Sequence, residues 1–259
     1  MRLRHVDHAG TGPALVLLHA FPLDSGMYDR LVPLLEDAAR VVTIDLPGLG
    51  GSPVADEPPT VVAIAEGVVA VLDDLGIERV TVLGTSTGGY VALALASIAP
   101  HRVASLVLAG TTPHRIAPDV PDERRVVAAE IERLGSTKPV QDSADDGIGA
   151  TAHREQPDLV DMLRRTIQDA DPVGVAWMAR AIADREDTTA ALVAFPGHVE
   201  LLFGAEDEAT PPHRGVEMLA LRGPERTRLT VLDRTGHLSA LESPAAVAEV
   251  VRTVLADAG

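Results

Sequence analysis

The chain of 259 residues contains no cysteine. Disulfide staples, thiolate nucleophiles and thiolate metal sites are therefore excluded, while the redox compartment is left open. Aromatic residues are nearly as scarce: one Trp, two Tyr and three Phe are too few for the stacking surface on which single-stranded nucleic acid lies. Positive charge is also short. The 22 Lys and Arg residues against 38 Asp and Glu give a formal net charge of −16 at pH 7, the wrong sign for the phosphate backbone of nucleic acid or for an anionic membrane. Although 46% of residues are hydrophobic, they never run unbroken for the roughly 18 positions that a membrane span needs. The opening segment MRLRHVDHAG lacks the apolar centre of a secretory signal. These absences lead to the expectation of a cytoplasmic protein whose partner is a small molecule rather than nucleic acid or membrane.

What is present is a recurrence of short, branched or leucine-rich runs: ALVLLHA (14–20), VVTIDLPG (41–48), VTVLGTS (80–86), VASLVLAG (103–110), VELLFG (199–204) and RLTVLD (228–233). Each has the length and composition of a buried strand. Helix-period segments alternate with them over Met27–Asp37, Val61–Leu75, Thr87–Ala99, Pro211–Leu221 and Pro244–Ala258. Such alternation predicts an α/β fold with a mostly parallel central sheet flanked by helices. Ser243 and Pro244 mark the start of the last helix, with Ser243 as cap and Pro244 at the first helical position. Ser243 and its neighbour Glu242 are read first as structural.

From Thr111 to about Ala194 the strand pattern stops, and charged stretches of helical spacing replace it. Strands of the same character then resume. This predicts a core made of 1–110 and 195–259, with a helical cap inserted at 111–194; a separate second domain is the alternative. Within the insertion, GSTKPVQDSADDGIGA (135–150) is the best candidate for a mobile loop.

Gly84, Thr85, Ser86, Thr87 and Gly88 fit G-x-S-x-G, a turn that lifts a serine above a sheet edge between a strand and a helix. Here the motif does follow a strand-like run and precede a helix-like one. On the motif alone, Ser86 is either a nucleophile or a residue capping a helix. A serine hydroxyl reacts only with a base in reach and a third group to orient that base. Among nine histidines, His237 is the best base, because it sits between a strand and the final helix. His5, His8, His101, His114, His153, His198 and His213 lie among charged, turn or helical residues and read as solvated or structural. None of them shows zinc-ligand spacing, so no metal is expected. Glu206, Asp207 and Glu208 follow a strand directly, and Asp207 is the choice for the orienting acid. The alternative place, after VLAG, is taken by Gly110, Thr111 and Thr112, which cannot orient an imidazole as a carboxylate does.

With Ser86, Asp207 and His237 in that order, the segments HAFPLDSGMYDRLVPLL, DLPGLGGS, GTSTGG, GAEDEATPP and GHLSALESPAAVAEVV resemble the α/β-hydrolase superfamily over nearly the whole chain except the cap. The resemblance implies that the backbone N–H groups of Phe21 and Thr87 form an oxyanion hole. It departs from the family at Ala20, where glycine is usual, and at Glu200, where an apolar residue is usual. His19 is expected to hold its loop by hydrogen bonds, and Asp45, Pro47 and Gly48 to be structural. No metal or organic cofactor is implied.

Serine at position 86 argues against the branches that use an aspartate nucleophile. Esterases, lactonases, thioesterases, carbon–carbon bond hydrolases and perhydrolases remain. HAFPLDSGMYD and DPVGVAWMARAIADRED resemble the branch of 3-oxoadipate enol-lactonases, whose substrates carry a carboxylate that a cap arginine could bind. Arg154, Arg165 and Arg180 are candidates, each with a surface ion pair as the plainer reading. Trp177 either lines the pocket or packs the cap. STGG also resembles the cofactor-free haloperoxidase or perhydrolase branch. Outside hydrolysis, a low-turnover ligand-binding protein or a lyase using the histidine as base would retain the same residues. A small carboxylic ester or lactone is the favoured substrate.

Overall fold

The apolar runs form parallel strands because each is short, rich in branched residues and bounded by turn formers. The structure, a computed structural model, describes residues 1–115 and 123–258. Its strands are β1 (His5–Asp7), β2 (Ala14–Leu18), β3 (Arg40–Ile44), β4 (Val80–Thr85), β5 (Val103–Ala109), β6 (His198–Gly204) and β7 (Thr227–Leu232). They lie in one sheet in the order β1-β3-β2-β4-β5-β6-β7. Only β1 is antiparallel, pairing with β3 at the edge. Three residues, HVD, carry too weak an apolar pattern to read as a strand; pairing with β3 supplies the order instead. At the centre β4 is buried at every position, so its carboxyl end offers a fixed platform.

Helices α1 (Val61–Asp74), α2 (Thr87–Ile98), α9 (His213–Arg222) and α11 (Pro244–Ala258) match the periodic segments closely. Thr60 starts α1 by accepting from Ala63 N–H at 3.1 Å. The helix expected over Met27–Asp37 does not form. Two 3-10 turns, Ser25–Tyr28 and Val32–Leu34, occupy that stretch, because Pro33 cannot donate to a preceding turn and begins a new one instead. At the head of α11, the hydroxyl of Ser243 pairs with Thr235 Oγ1 at 2.8 Å, while its carbonyl accepts from Val247 at 3.1 Å.

Between β5 and β6 lie α3 (Glu123–Leu134), α4 (Ser143–Asp146), α5 (Ala150–Glu155), α6 (Pro157–Asp169), α7 (Pro172–Ala183) and α8 (Thr189–Ala194). Residues 116–122 of the expected cap lie outside the described residues. The amphipathic α6 buries Leu159, Val160, Leu163 and Ile167, one helical stripe. Residues 135–150, expected as a loop, contain a 3-10 turn at Lys138–Val140 and the short α4. Their end packs so tightly on the last core loop that a Cβ on Gly236 would stand 2.1 Å from Gly149 N.

Glu200 has a partner that sequence alone does not name. It is fully buried on β6 and lies in register with Arg228 on β7. Arg228 Nε and Thr230 Oγ1 each donate to its carboxylate at 2.6 Å. Among the described residues no helix is long and apolar enough to cross a membrane.

Candidate active site

Where β4 passes into α2, Ser86 adopts φ 52 and ψ −110, a backbone conformation that costs a non-glycine residue roughly 1–3 kcal/mol. The surroundings hold it there. Ser86 N–H donates to Ala109 O at 2.8 Å, and Ser86 O accepts from Gly89 N–H at 2.9 Å and Thr111 Oγ1 at 2.8 Å. The two glycines of the motif are required by close approach: a Cβ on Gly84 would be 2.4 Å from Gly88 O, and one on Gly88 would be 2.0 Å from Leu18 O. Beneath the turn, the buried Tyr28 hydroxyl donates to Leu18 O at 2.8 Å and pairs with Thr85 Oγ1 at 2.9 Å. Burial pushes that phenol above its ordinary range.

On the loop after β7, His237 Nδ1 meets Asp207 Oδ2 at 2.9 Å. A carboxylate acceptor assigns the ring proton to Nδ1 and leaves Nε2 with its lone pair. Asp207 is buried, and its other oxygen accepts from Thr210 N–H at 2.7 Å. Glu206, one residue earlier, turns toward the insertion and accepts from Thr151 N–H at 2.7 Å and Thr151 Oγ1 at 2.6 Å. Those bonds hold its carboxyl below the ordinary range. Of the three consecutive acids, Asp207 is the one that contacts the histidine.

The loop after β2 is anchored by His19. Its Nε2 accepts from Leu46 N–H at 2.8 Å, which places the proton on Nδ1, and Nδ1 donates to Ala20 O at 3.0 Å. Complete burial lowers its pKa and keeps the ring neutral. Asp45 ties this loop to the next one, accepting from Ser25 N–H at 2.9 Å, Gly51 N–H at 2.8 Å and Arg4 Nη1 at 2.8 Å. Ala20, in place of glycine, is accommodated: its N–H points at Met27 Sδ, 3.3 Å away, and its carbonyl takes the His19 bond.

Ser86, Thr87, Phe21 and His237 share one cavity of about 490 Å³. Tyr90, Arg124, Asp146, Arg185, Glu208 and Leu238 also line it. Tyr90 was accessible to sequence reasoning, since it lies four residues after Ser86 on the same helix face. Arg185 sits in a charged stretch that resembles any solvated helix end. Its guanidinium lies over the Tyr90 ring, 4.4 Å from the centroid, and donates to Ile182 O and His114 O, each at 3.1 Å. Arg124 lies over Phe21 at 5.2 Å.

None of the four substrate-binding candidates from the sequence lines this cavity. Arg180 pairs with Glu132 of α3, the helix-surface ion pair. Arg154 donates to Thr151 Oγ1 at 3.2 Å. Arg165 lines an adjoining opening of about 860 Å³ between residues 48–54 and α6, which shares Pro22 and Leu23 with the Ser86 cavity but whose lining includes neither Ser86 nor His237. Trp177 is buried and donates to Glu57 O at 3.3 Å, so it packs the insertion.

Residues 13–244 match the family described as alpha/beta hydrolase fold. The chain belongs to the alpha/beta hydrolase fold family. This hydrolase is 34% identical over 260 residues to a pimeloyl-[acyl-carrier protein] methyl ester esterase of Aromatoleum aromaticum, covering 94% of this chain and 98% of that protein. It superimposes with a TM-score of 0.93, at 31% identity, on a thermophilic esterase from Thermogutta terrifontis with malate bound, covering 99% of this chain and 93% of the other. It is also 32% identical over 236 residues to the dihydrolipoyllysine-residue acetyltransferase component of the acetoin cleaving system of Pseudomonas putida. That match covers 90% of this chain but spans only 60% of that relative's length.

Proposed function

We propose that this hydrolase cleaves a small carboxylic ester or lactone by acyl transfer through Ser86, with His237 as base and Asp207 as its orienting acid. The observation that carries the proposal is the His237–Asp207 bond of 2.9 Å beside a strained Ser86 in a shared cavity of about 490 Å³. Ser86 Oγ attacks the carbonyl carbon while His237 Nε2 takes its proton. Asp207 steadies the resulting imidazolium. The N–H groups of Phe21 and Thr87 face the developing oxyanion, where losing one such donor costs on the order of 100- to 1000-fold in turnover.

Collapse of the tetrahedral intermediate breaks the carbonyl carbon–oxygen bond, and His237 returns the proton to the leaving alkoxide. Water then gives a proton to His237 and attacks the acyl-serine, releasing the acid and restoring Ser86. With a lactone, the leaving alkoxide stays tethered and the product is a hydroxy acid. The segment between β5 and β6 acts as the cap, supplying Arg124, Asp146 and Arg185 to the wall that receives the acyl group. The two relatives matched over nearly their whole length are both named esterases, which supports ester hydrolysis over the acetyl transfer named for the longer relative.

The test is a stopped-flow burst of nitrophenol from a short-chain nitrophenyl ester, with a lactone panel alongside. A burst equal to the enzyme concentration, absent in Ser86→Ala, supports the proposal. Equal, slow hydrolysis by wild type and Ser86→Ala overturns it.

A further inference from the structure

The carboxylate of Glu242, in α10 (Ser239–Glu242), is nearly inaccessible to solvent. It accepts three backbone N–H bonds. Gly236 and Gly149 donate to Oε2 at 2.8 and 3.0 Å, and Leu238 donates to Oε1 at 3.1 Å. Gly236 and Leu238 are the residues on either side of His237, whereas Gly149 belongs to the helical insertion. The same seam is closed by Leu238 N–H, which also reaches Gly147 O at 3.2 Å. Gly147 in turn lines the cavity shared by Ser86 and His237.

A short turn before a helix can be closed by a neutral serine or asparagine, whereas burying a carboxylate carries a large desolvation cost. That cost is visible in Glu242: burial, with the nearby charge of Asp207, pushes its pKa up against the pull of the three N–H donors. Asp207 controls how the imidazole is rotated, through Nδ1, but it does not set where the backbone of residue 237 lies. The bonds to Gly236 and Leu238 do.

We propose that Glu242 is a positioning residue, whose carboxylate grips the chain on both sides of His237 and fastens the Gly147–Gly149 segment of the insertion to the same loop. The base and one wall of the acyl pocket are thereby held as one unit. This inference rests on the acyl-transfer reading, in which His237 Nε2 must meet Ser86 Oγ in line. A misplacement of that atom by about 1 Å costs on the order of 100-fold in rate.

The experiment compares Glu242→Gln, Glu242→Ala and Gly149→Ala with wild type, measuring kcat and KM on a short-chain nitrophenyl ester, and melting temperature. Glutamine keeps one acceptor oxygen for Gly236 and Gly149 but presents a donor to Leu238 N–H. Gly149→Ala leaves the Glu242 carboxylate in place and strains the seam itself, since its Cβ would stand 2.7 Å from Glu206 Oε2 and 2.8 Å from Gly236 N. The expected result is a fall in kcat of about 100-fold in Glu242→Ala, about 10-fold in Glu242→Gln and an intermediate fall in Gly149→Ala, with KM within about threefold for Glu242→Gln. If Glu242→Ala does not fold, Glu242→Gln and Gly149→Ala decide. Folded variants that melt lower yet keep wild-type kcat overturn the inference and leave a purely structural role. Because the Ser86 burst of the wild type is recorded in the same assay, failure of the acyl-transfer reading is separately visible.

Discussion

Gly110 forms the wall behind the histidine: a Cβ placed on it would stand 2.9 Å from His237 Nδ1 and 3.1 Å from Asp207 Oδ2. Its backbone is in the left-handed region, at φ 53, and its N–H is held by Leu202 O at 2.9 Å. The position after β5 therefore has a defined task in the site, which is to remain empty. Gly110→Ala brings no new chemistry, yet its methyl group must displace either ring or carboxylate. We expect kcat on a nitrophenyl ester to fall by about 10- to 100-fold, together with a loss of about 1 kcal/mol from the backbone conformation. Wild-type kcat in a folded Gly110→Ala protein would contradict this arrangement.

His19 joins two loops without a charge. Replacing it by alanine strands the Leu46 N–H and the Ala20 carbonyl, both buried, and each unpaired group costs about 1–3 kcal/mol. His19→Ala should therefore unfold at lower denaturant with an unchanged slope, and its kcat should drop because Phe21 lies two residues on. Urea titration and ester kinetics on the same preparation check both parts.

Most of the sheet was legible because its strands other than β1 are short runs rich in branched apolar residues, and Ser86, Asp207 and His237 were legible as candidates because each lies in the turn or loop that follows a strand. Position on the carboxyl edge of a parallel sheet is a property of chain order, so the placement of Ser86, Asp207 and His237 at that edge followed from the sequence. The pocket wall could not. Arg154, Arg165 and Arg180 are arginines of the insertion no less than Arg185, and only helix packing decides that Arg185 turns toward Tyr90 while Arg180 turns toward Glu132. Glu242 was hidden for a related reason, because its three donors are backbone groups from two distant segments. Backbone donors leave no residue-type signature.

Glu200 provides a test of what a buried acid contributes when its partner is half exposed. The Arg228 side chain retains 41% exposure, so losing Glu200 lets the guanidinium return to water rather than strand it. Glu200→Ala should cost about 2 kcal/mol, mainly through the cavity left on β6. Glu200→Leu should recover most of that loss, since an apolar side chain of similar volume often replaces a buried ion pair without penalty. Melting curves of the two variants distinguish this from a salt bridge that dominates stability, for which leucine would be no better than alanine.

Asp45 should make stability depend on acid in a defined direction. Burial acts to raise its pKa, but the hydrogen bonds from Ser25, Gly51 and Arg4 outweigh burial and hold it below the ordinary 3.8. A carboxyl depressed in the folded state binds its proton more readily when unfolded. Its stabilising contribution is therefore complete above the unfolded value and is lost as pH falls through the folded one. Asp45→Asn removes that contribution at every pH. The difference in unfolding free energy between wild type and Asp45→Asn should be largest near neutral pH and should narrow on acidification through and below the ordinary carboxylate range. Chemical denaturation at a series of pH values measures it directly. A gap that stays constant through that titration would mean that the three donors serve the shape of the loops and not the charge of the carboxylate.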